Sequence, residues 1–262
     1  MSNKAPIICS IILLSVIIFG LVMFLVTYLC GGKIGFMSIG AKNNKVICDK
    51  EFKLEEIENI DIKQDAGNII LEETTNDEIK VVAYGENEGD IRVDLNNNKL
   101  VIDYTRQKRF TFLHFGNIKN DIIVSIPSSY RNEIKIKNDL GNCEISNLEN
   151  ATLDIDCDAG NVEADKIKNA KINCDMGKVV IKEILNKCDI DVNSGSVEIT
   201  KLSIQENSKI KADLGNVDIS ETNDIYIEGS VDLGNATING SNRNSNVTLK
   251  IECDCGNINV GK

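Results

Sequence analysis

The residues best able to do chemistry recur along this chain instead of meeting in one motif. An aspartate stands two places before a glycine at Asp139, Asp158, Asp175, Asp213, Asp232 and Asp254. Carboxylates stacked at a fixed interval could bind calcium through oxygen, so these six are the candidate metal ligands. Calcium-binding β-rolls use shorter repeats that place Gly and Asp differently, and capping of a turn by an Asx side chain needs no ion. Nine cysteines occur. No Cys-x-x-Cys is present, and Cys253-x-Cys255 is too short for the usual zinc knuckle. Cys157, Cys174 and Cys253 share one place in the repeat, where a thiol serves as a small apolar side chain, and Cys157 and Cys174 could come within bridging distance on adjacent coils.

One segment departs from the rest in composition. Arg106, Arg109, Phe110, Phe112, His114 and Phe115 gather aromatic rings, two of the five arginines and the single histidine in an acidic, aromatic-poor chain. Their alternation suits a strand with an aromatic face, which either caps the fold or forms a contact surface. With one His, histidine-based catalysis and multi-His metal sites are improbable. The balance of 29 Lys+Arg against 40 Asp+Glu, net −11, argues against nucleic acid as a partner.

A repeat must position these residues. The phrases QDAGNIIL, NDLGNCEI, CDAGNVEA, CDMGKVVI, VNSGSVEI, ADLGNVDI, VDLGNATI and CDCGNINV centre on Gly67, Gly141, Gly160, Gly177, Gly195, Gly215, Gly234 and Gly256, and from Gly141 the spacings stay close to 19 residues. Apolar residues flank each glycine at every second place, the period of a β-strand with one buried face. A strand-turn-strand unit of this length cannot close its own core, so successive units must stack. An outward column six places before glycine reads Lys135, Asp154, Lys171, Asp189, Lys209, Glu228 and Lys250, alternating in sign at each step. That order predicts an in-register parallel stack.

The prediction is an all-β chain: a parallel β-solenoid of about 19 residues per coil behind an N-terminal transmembrane helix. Residues 7–30 are an uncharged run of 24 residues, long enough to span a bilayer as a helix. Thr27-Tyr28-Leu29-Cys30-Gly31 lacks the small-x-small pattern of a signal-peptide cleavage site, so the anchor is expected to stay. The expected organisation is an anchor over 1–31, a tether over 32–50, a less regular N-terminal part over 51–133 and regular coils over 134–262. No capping element is apparent after Val260, and an open solenoid edge is a template for pairing, so either an unusual fold-back cap or self-association through the C-terminal edge is expected.

From IIVSIPSS through NEIKIKNDLGNCEI to the serial D-x-G-N units, the chain resembles a family of bacterial β-strand-repeat proteins described as candidate adhesins, most of unknown function. The resemblance implies a right-handed β-solenoid tethered to the cell envelope, with no catalytic residues and no cofactor to carry over. Lys178 and Ser196 depart from it at the turn Asn, and Asn193 at the Asp. The expected function is a non-enzymatic, adhesin-like binding module in a single-pass membrane protein. Its main domain would be extracytoplasmic and its partner an envelope protein or glycan. The alternatives are an envelope-stress accessory protein contacting a membrane sensor and, behind it, a polysaccharide-active β-helix enzyme.

Overall fold

The computed structural model describes residues 45–105 and 120–261. Strands β1 (Lys45–Lys53), β2 (Asn59–Gln64), β3 (Ile69–Thr74), β4 (Glu78–Gly85), β5 (Arg92–Asn96), β6 (Lys99–Tyr104) and β7 (Ile122–Pro127) form the N-terminal part. The coils that follow are built from β8 (Glu133–Leu140), β9 (Cys143–Ile145), β10 (Leu148–Ala159), β11 (Val162–Met176), β12 (Val179–Ser194) and β13 (Val197–Leu202). The last are β14 (Ser208–Leu214), β15 (Val217–Thr222), β16 (Tyr226–Leu233), β17 (Ala236–Ile238), β18 (Thr248–Cys255) and β19 (Ile258–Val260). Among the described residues helix is confined to two single 3-10 turns, Leu54–Glu56 and Glu88–Asp90.

Alternation sets the faces. In β8, Ile134, Ile136 and Asn138 are buried while Lys135 and Lys137 are exposed, and the same rhythm lines one continuous core of isoleucine, valine, leucine and cysteine. At each corner the repeat glycine takes a φ between +134° and +155°, a region that L side chains rarely enter. The chain then turns into the short strand of the next face.

The strands before each corner form one ladder, in the spatial order β5, β6, β2, β8, β10, β11, β12, β14, β18, β16. Those after it form a second, in the order β1, β4, β7, β3, β9, β11, β12, β13, β15, β19, β17. The long strands β11 and β12 contribute to both. Pairing is parallel except where β1, β4 and β5 add antiparallel partners at the N-terminal end.

The outward charge column fixes the register as expected from Lys135 through Asp154, Lys171 and Asp189 to Lys209, and Asp61 extends it beyond Lys135. At the far end space and sequence part company. Strands β18 and β19 insert between β14/β15 and β16/β17, so Lys209 faces Lys250 and Glu228 lies beyond it. The strict alternation therefore fails at one step. Glu252 repairs it from the adjacent column, with Lys209 Nζ at 2.7 Å and Lys250 Nζ at 2.5 Å.

This insertion is a fold-back of the C-terminal end, one of the two outcomes expected there. The C-terminal strands are interior, and the outer edge belongs to β16 and β17. Part of that edge is covered by the returning loop, where the Ser241 hydroxyl accepts from Ile227 N–H at 2.9 Å and donates to Ile227 C=O at 3.4 Å. At the opposite end Lys50 Nζ donates to Val93 C=O at 2.8 Å, tying β1 to β5 across the end of the stack. Strand β1 begins at Lys45, so the end of the stretch assigned to the tether is already sheet, paired with β4. Among the described residues no helix is long and apolar enough to cross a membrane. The anchor at 7–30 and the segment Arg106, Arg109, Phe110, Phe112, His114 and Phe115 lie outside the described residues.

Candidate functional site

The corner is the most constrained place in each coil. An added Cβ at Gly195 would overlap the carbonyl oxygen of Gly177 one coil away, and the same overlap recurs from coil to coil. The asparagine after the glycine caps the neighbouring coil: Asn161 N–H donates to Asn142 Oδ1 at 3.0 Å, and Lys178 N–H to Asn161 Oδ1 at 3.0 Å. Asn257 N–H does the same to Asn216 Oδ1 at 2.9 Å. The capping expected of the aspartates is thus done by these asparagines.

The aspartates point outward instead. Asp139 and Asp213 take Lys137 and Lys211 at 3.8 and 2.5 Å, and Asp175 Oδ1 accepts from Asn193 Nδ2 at 2.8 Å. Asp158, Asp232 and Asp254 occupy the same place in their own coils. Among the described residues no group of three or more His, Cys, Asp or Glu side chains is placed to hold a metal ion. Burial, followed by the neighbouring Asp158 charge, pushes the Asp139 carboxyl above its ordinary value, with Lys137 opposing.

Cys143, Cys157, Cys174, Cys188 and Cys253 are buried free thiols, and Cys48 and Cys255 are half-buried free thiols. Cys157 and Cys174 are direct partners across β10 and β11, yet remain unbridged. Contact with Cys157 and then burial raise the Cys143 and Cys174 thiols, and burial pushes Cys188 up to about 12. Hydrogen bonding with Cys143 and then Cys174 lowers the Cys157 thiol in turn, so for this group it is burial inside the stack, not protonation, that withholds it from reaction.

On the post-corner face Glu144 and Glu163 are direct partners, as are Glu198 and Asp218. A cleft of about 350 Å³ lies over the first pair, lined also by Glu72, Asp165 and Lys182, with Lys182 bound to Asp165 at 2.5 Å.

The feature that sequence reasoning missed sits between the aspartates and the glycines. Four of the five exposed large hydrophobic side chains among the described residues, Leu140, Met176, Leu214 and Leu233, occupy the single place before the corner glycine, at 57–70% exposure. Ladder pairing orders this column in space as Leu140, Ala159, Met176, Ser194, Leu214, Cys255, Leu233. Large and small alternate without exception. In chain order the alternation fails, since Leu214 and Leu233 are consecutive, so only the exchanged coils reveal it. The variable letter of the D-x-G-N phrase was the available signal. A second charge ladder was equally readable six places after the glycine: Lys166, Glu183, Lys201 and Glu221 are successive partners.

Solved structures with similar folds include a candidate cell adhesion protein from Clostridium sporogenes ATCC 15579. It is 15% identical, with 84% of this chain and 99% of that chain covered and a TM-score of 0.46. A candidate adhesin from Bacteroides fragilis NCTC 9343 is 17% identical over 82% of this chain and 96% of that one, with a TM-score of 0.42. One from Parabacteroides distasonis ATCC 8503 is 11% identical over 82% and 97%, with a TM-score of 0.40. No curated protein matches the chain. Residues 57–261 match the Toastrack DUF4097 family, which spans the repeat from its first corner to its last strand, and the chain belongs to that family.

Proposed function

We propose that this protein is a non-enzymatic, adhesin-like binding module, held at the bacterial cell envelope by a single membrane span over residues 7–30, with the β-domain outside. The exposed corner column of Leu140, Met176, Leu214 and Leu233 carries this reading. A monomeric surface rarely gathers its large apolar side chains in one line, and such a line marks a contact surface. Five of the thiols are buried inside the stack, where a substrate cannot reach them, and Asp165 at the cleft is tied to Lys182, which favours binding over catalysis. The 24-residue uncharged run supports the anchor by its length.

Cells displaying the full-length chain, and cells displaying one with Leu140→Ser, Met176→Ser, Leu214→Ser and Leu233→Ser together, provide the test. The expected result is a β-domain cleaved by external protease in intact cells, with adhesion to protein- or glycan-coated surfaces lost in the four-serine chain at unchanged melting temperature. A protease-protected domain, or adhesion indifferent to the four serines, overturns the proposal.

A further inference from the structure

The spacing of the corner column, together with its charged flank, identifies a class of partner. We infer that the column docks a basic polypeptide segment in the polyproline II conformation, an inference that rests on the column being the binding surface. Adjacent coils stand about 4.8 Å apart, so large side chains that alternate with small ones recur every ~9.6 Å. A polyproline II segment presents one face every three residues, or about 9.3 Å. A helix repeats a face every seven residues, about 10.5 Å, and a strand every ~6.6 Å. From Leu140 to Leu233 there are three such intervals. The three notches between them span two intervals, over which the polyproline II mismatch accumulates to about 0.6 Å, well under a carbon radius, while the helix mismatch reaches about 1.8 Å, a full carbon radius, and moves a side chain off its notch. Every third residue of such a segment seats over Ala159, Ser194 and Cys255, between the projecting side chains.

Charge chooses the composition of the segment. The aspartate column runs directly beside the apolar one, and Asp158, Asp232 and Asp254 add to it as well as the lysine-paired Asp139 and Asp213. Lys or Arg at the intermediate positions of the segment meets this flank. An anionic lipid surface is repelled by it. A second copy is disfavoured too: an antiparallel two-fold sets aspartate column on aspartate column, and a parallel one sets large side chain on large side chain.

The test uses the full-length chain in nanodiscs and a labelled Leu-Lys-Pro repeat peptide of about fifteen residues, read by fluorescence anisotropy. A scrambled peptide of identical composition and a Leu/Lys heptad helix are the comparators. The expected result is saturable binding of the repeat peptide, weakened by about tenfold or more in the four-serine chain and by scrambling. Equal binding of the scrambled peptide, preference for the heptad helix, or no binding of the repeat peptide overturns the inference. If adhesion of intact cells depends on the four side chains while the repeat peptide fails to bind, this inference falls and the binding-module reading stands.

Discussion

At the scale of single residues, the corner glycine answers to two independent constraints. Gly195 has φ +153°, and an added Cβ there meets the carbonyl oxygen of Gly177. Backbone atoms inside a stack cannot step aside, so Gly195→Ala is expected to cost about 3 kcal/mol or more. Gly89 is the matched control, because nothing lies within 4 Å of its added Cβ and its φ lies outside the positive region. Gly89→Ala should stay within about 0.5 kcal/mol of the parent. Urea midpoints of the two variants decide the matter: similar losses would remove the corner from the explanation of the fold. Glu252 poses a different question. Hydrogen bonds from Lys209 and then Lys250 hold its carboxyl down at about 2. A depressed carboxylate contributes stability above its unfolded value, and that contribution drains away as pH falls toward the folded one. Glu252→Gln should therefore flatten the acid limb of the stability curve below about pH 4.5. Its neutral-pH cost should be under about 1 kcal/mol, because the bridges are solvent-exposed. An acid limb identical to the parent's would show that the two bridges add nothing.

At the scale of strands and coils, the exchanged order at the C-terminal end has a measurable consequence. Strand β18 is hydrogen-bonded to β14 on one side and β16 on the other, whereas β16 has only β18. Amide exchange should accordingly be slower in β18 and β19, at the end of the chain, than in β16 and β17, which precede them. The reverse order of protection would refute the insertion. The corners were legible in sequence because the D-x-G-N phrase encodes a local conformation, and the faces were legible because strand alternation is local too. Coil order is not local. The units at 226–238 and 248–260 carry equivalent phrases, so each fits beside Gly215. What distinguishes them is the quality of their inward residues. Gly229 stands where other coils have isoleucine, and Ala236 where they have Cys143, valine or isoleucine. Residues 229, 236 and 237 are exposed and Ile238 is only half-buried. The coil with the poorer inward set is the one that can tolerate the end of the stack, and with it the corner column acquires its alternation. The charge column misled at that step because Lys209, Glu228, Lys250 alternates along the chain while Glu252, one column over, neutralises the true neighbours in space.

At the scale of the whole molecule, columns of like residues make electrostatics collective. Each carboxylate in the aspartate column has at least one other a coil away, about 4.8 Å, well inside a Debye length of about 8 Å at physiological salt, although Asn193 interrupts the column between Asp175 and Asp213. Asp139 feels this with its burial: desolvation first, then Asp158, raises its carboxyl, and Lys137 only partly compensates. A raised carboxyl means that the folded state binds protons more readily than the unfolded one, so this group opposes folding at neutral pH and the opposition lifts as pH falls through the folded value. The net charge of −11 acts in the same direction, since acidification reduces self-repulsion. Glu183 and Glu206 act the other way. The hydrogen bond from Lys201 lowers the first carboxyl and that from Asn186 lowers the second, so their stabilisation disappears only below the ordinary carboxylate range. The melting temperature should therefore rise as pH is lowered from neutrality toward the ordinary carboxylate range and fall again once pH passes below that range. Asp139→Asn with Asp158→Asn should raise the neutral-pH melting temperature and shrink the gain on acidification, and added salt should do the same by screening. Thermal melts across this range, with and without the two substitutions, test the point. A melting temperature that climbs steadily from about pH 5 to about pH 8, or a double variant less stable than its parent at neutral pH, would mean that the aspartate column is held by compensating partners and imposes no cost on the stack.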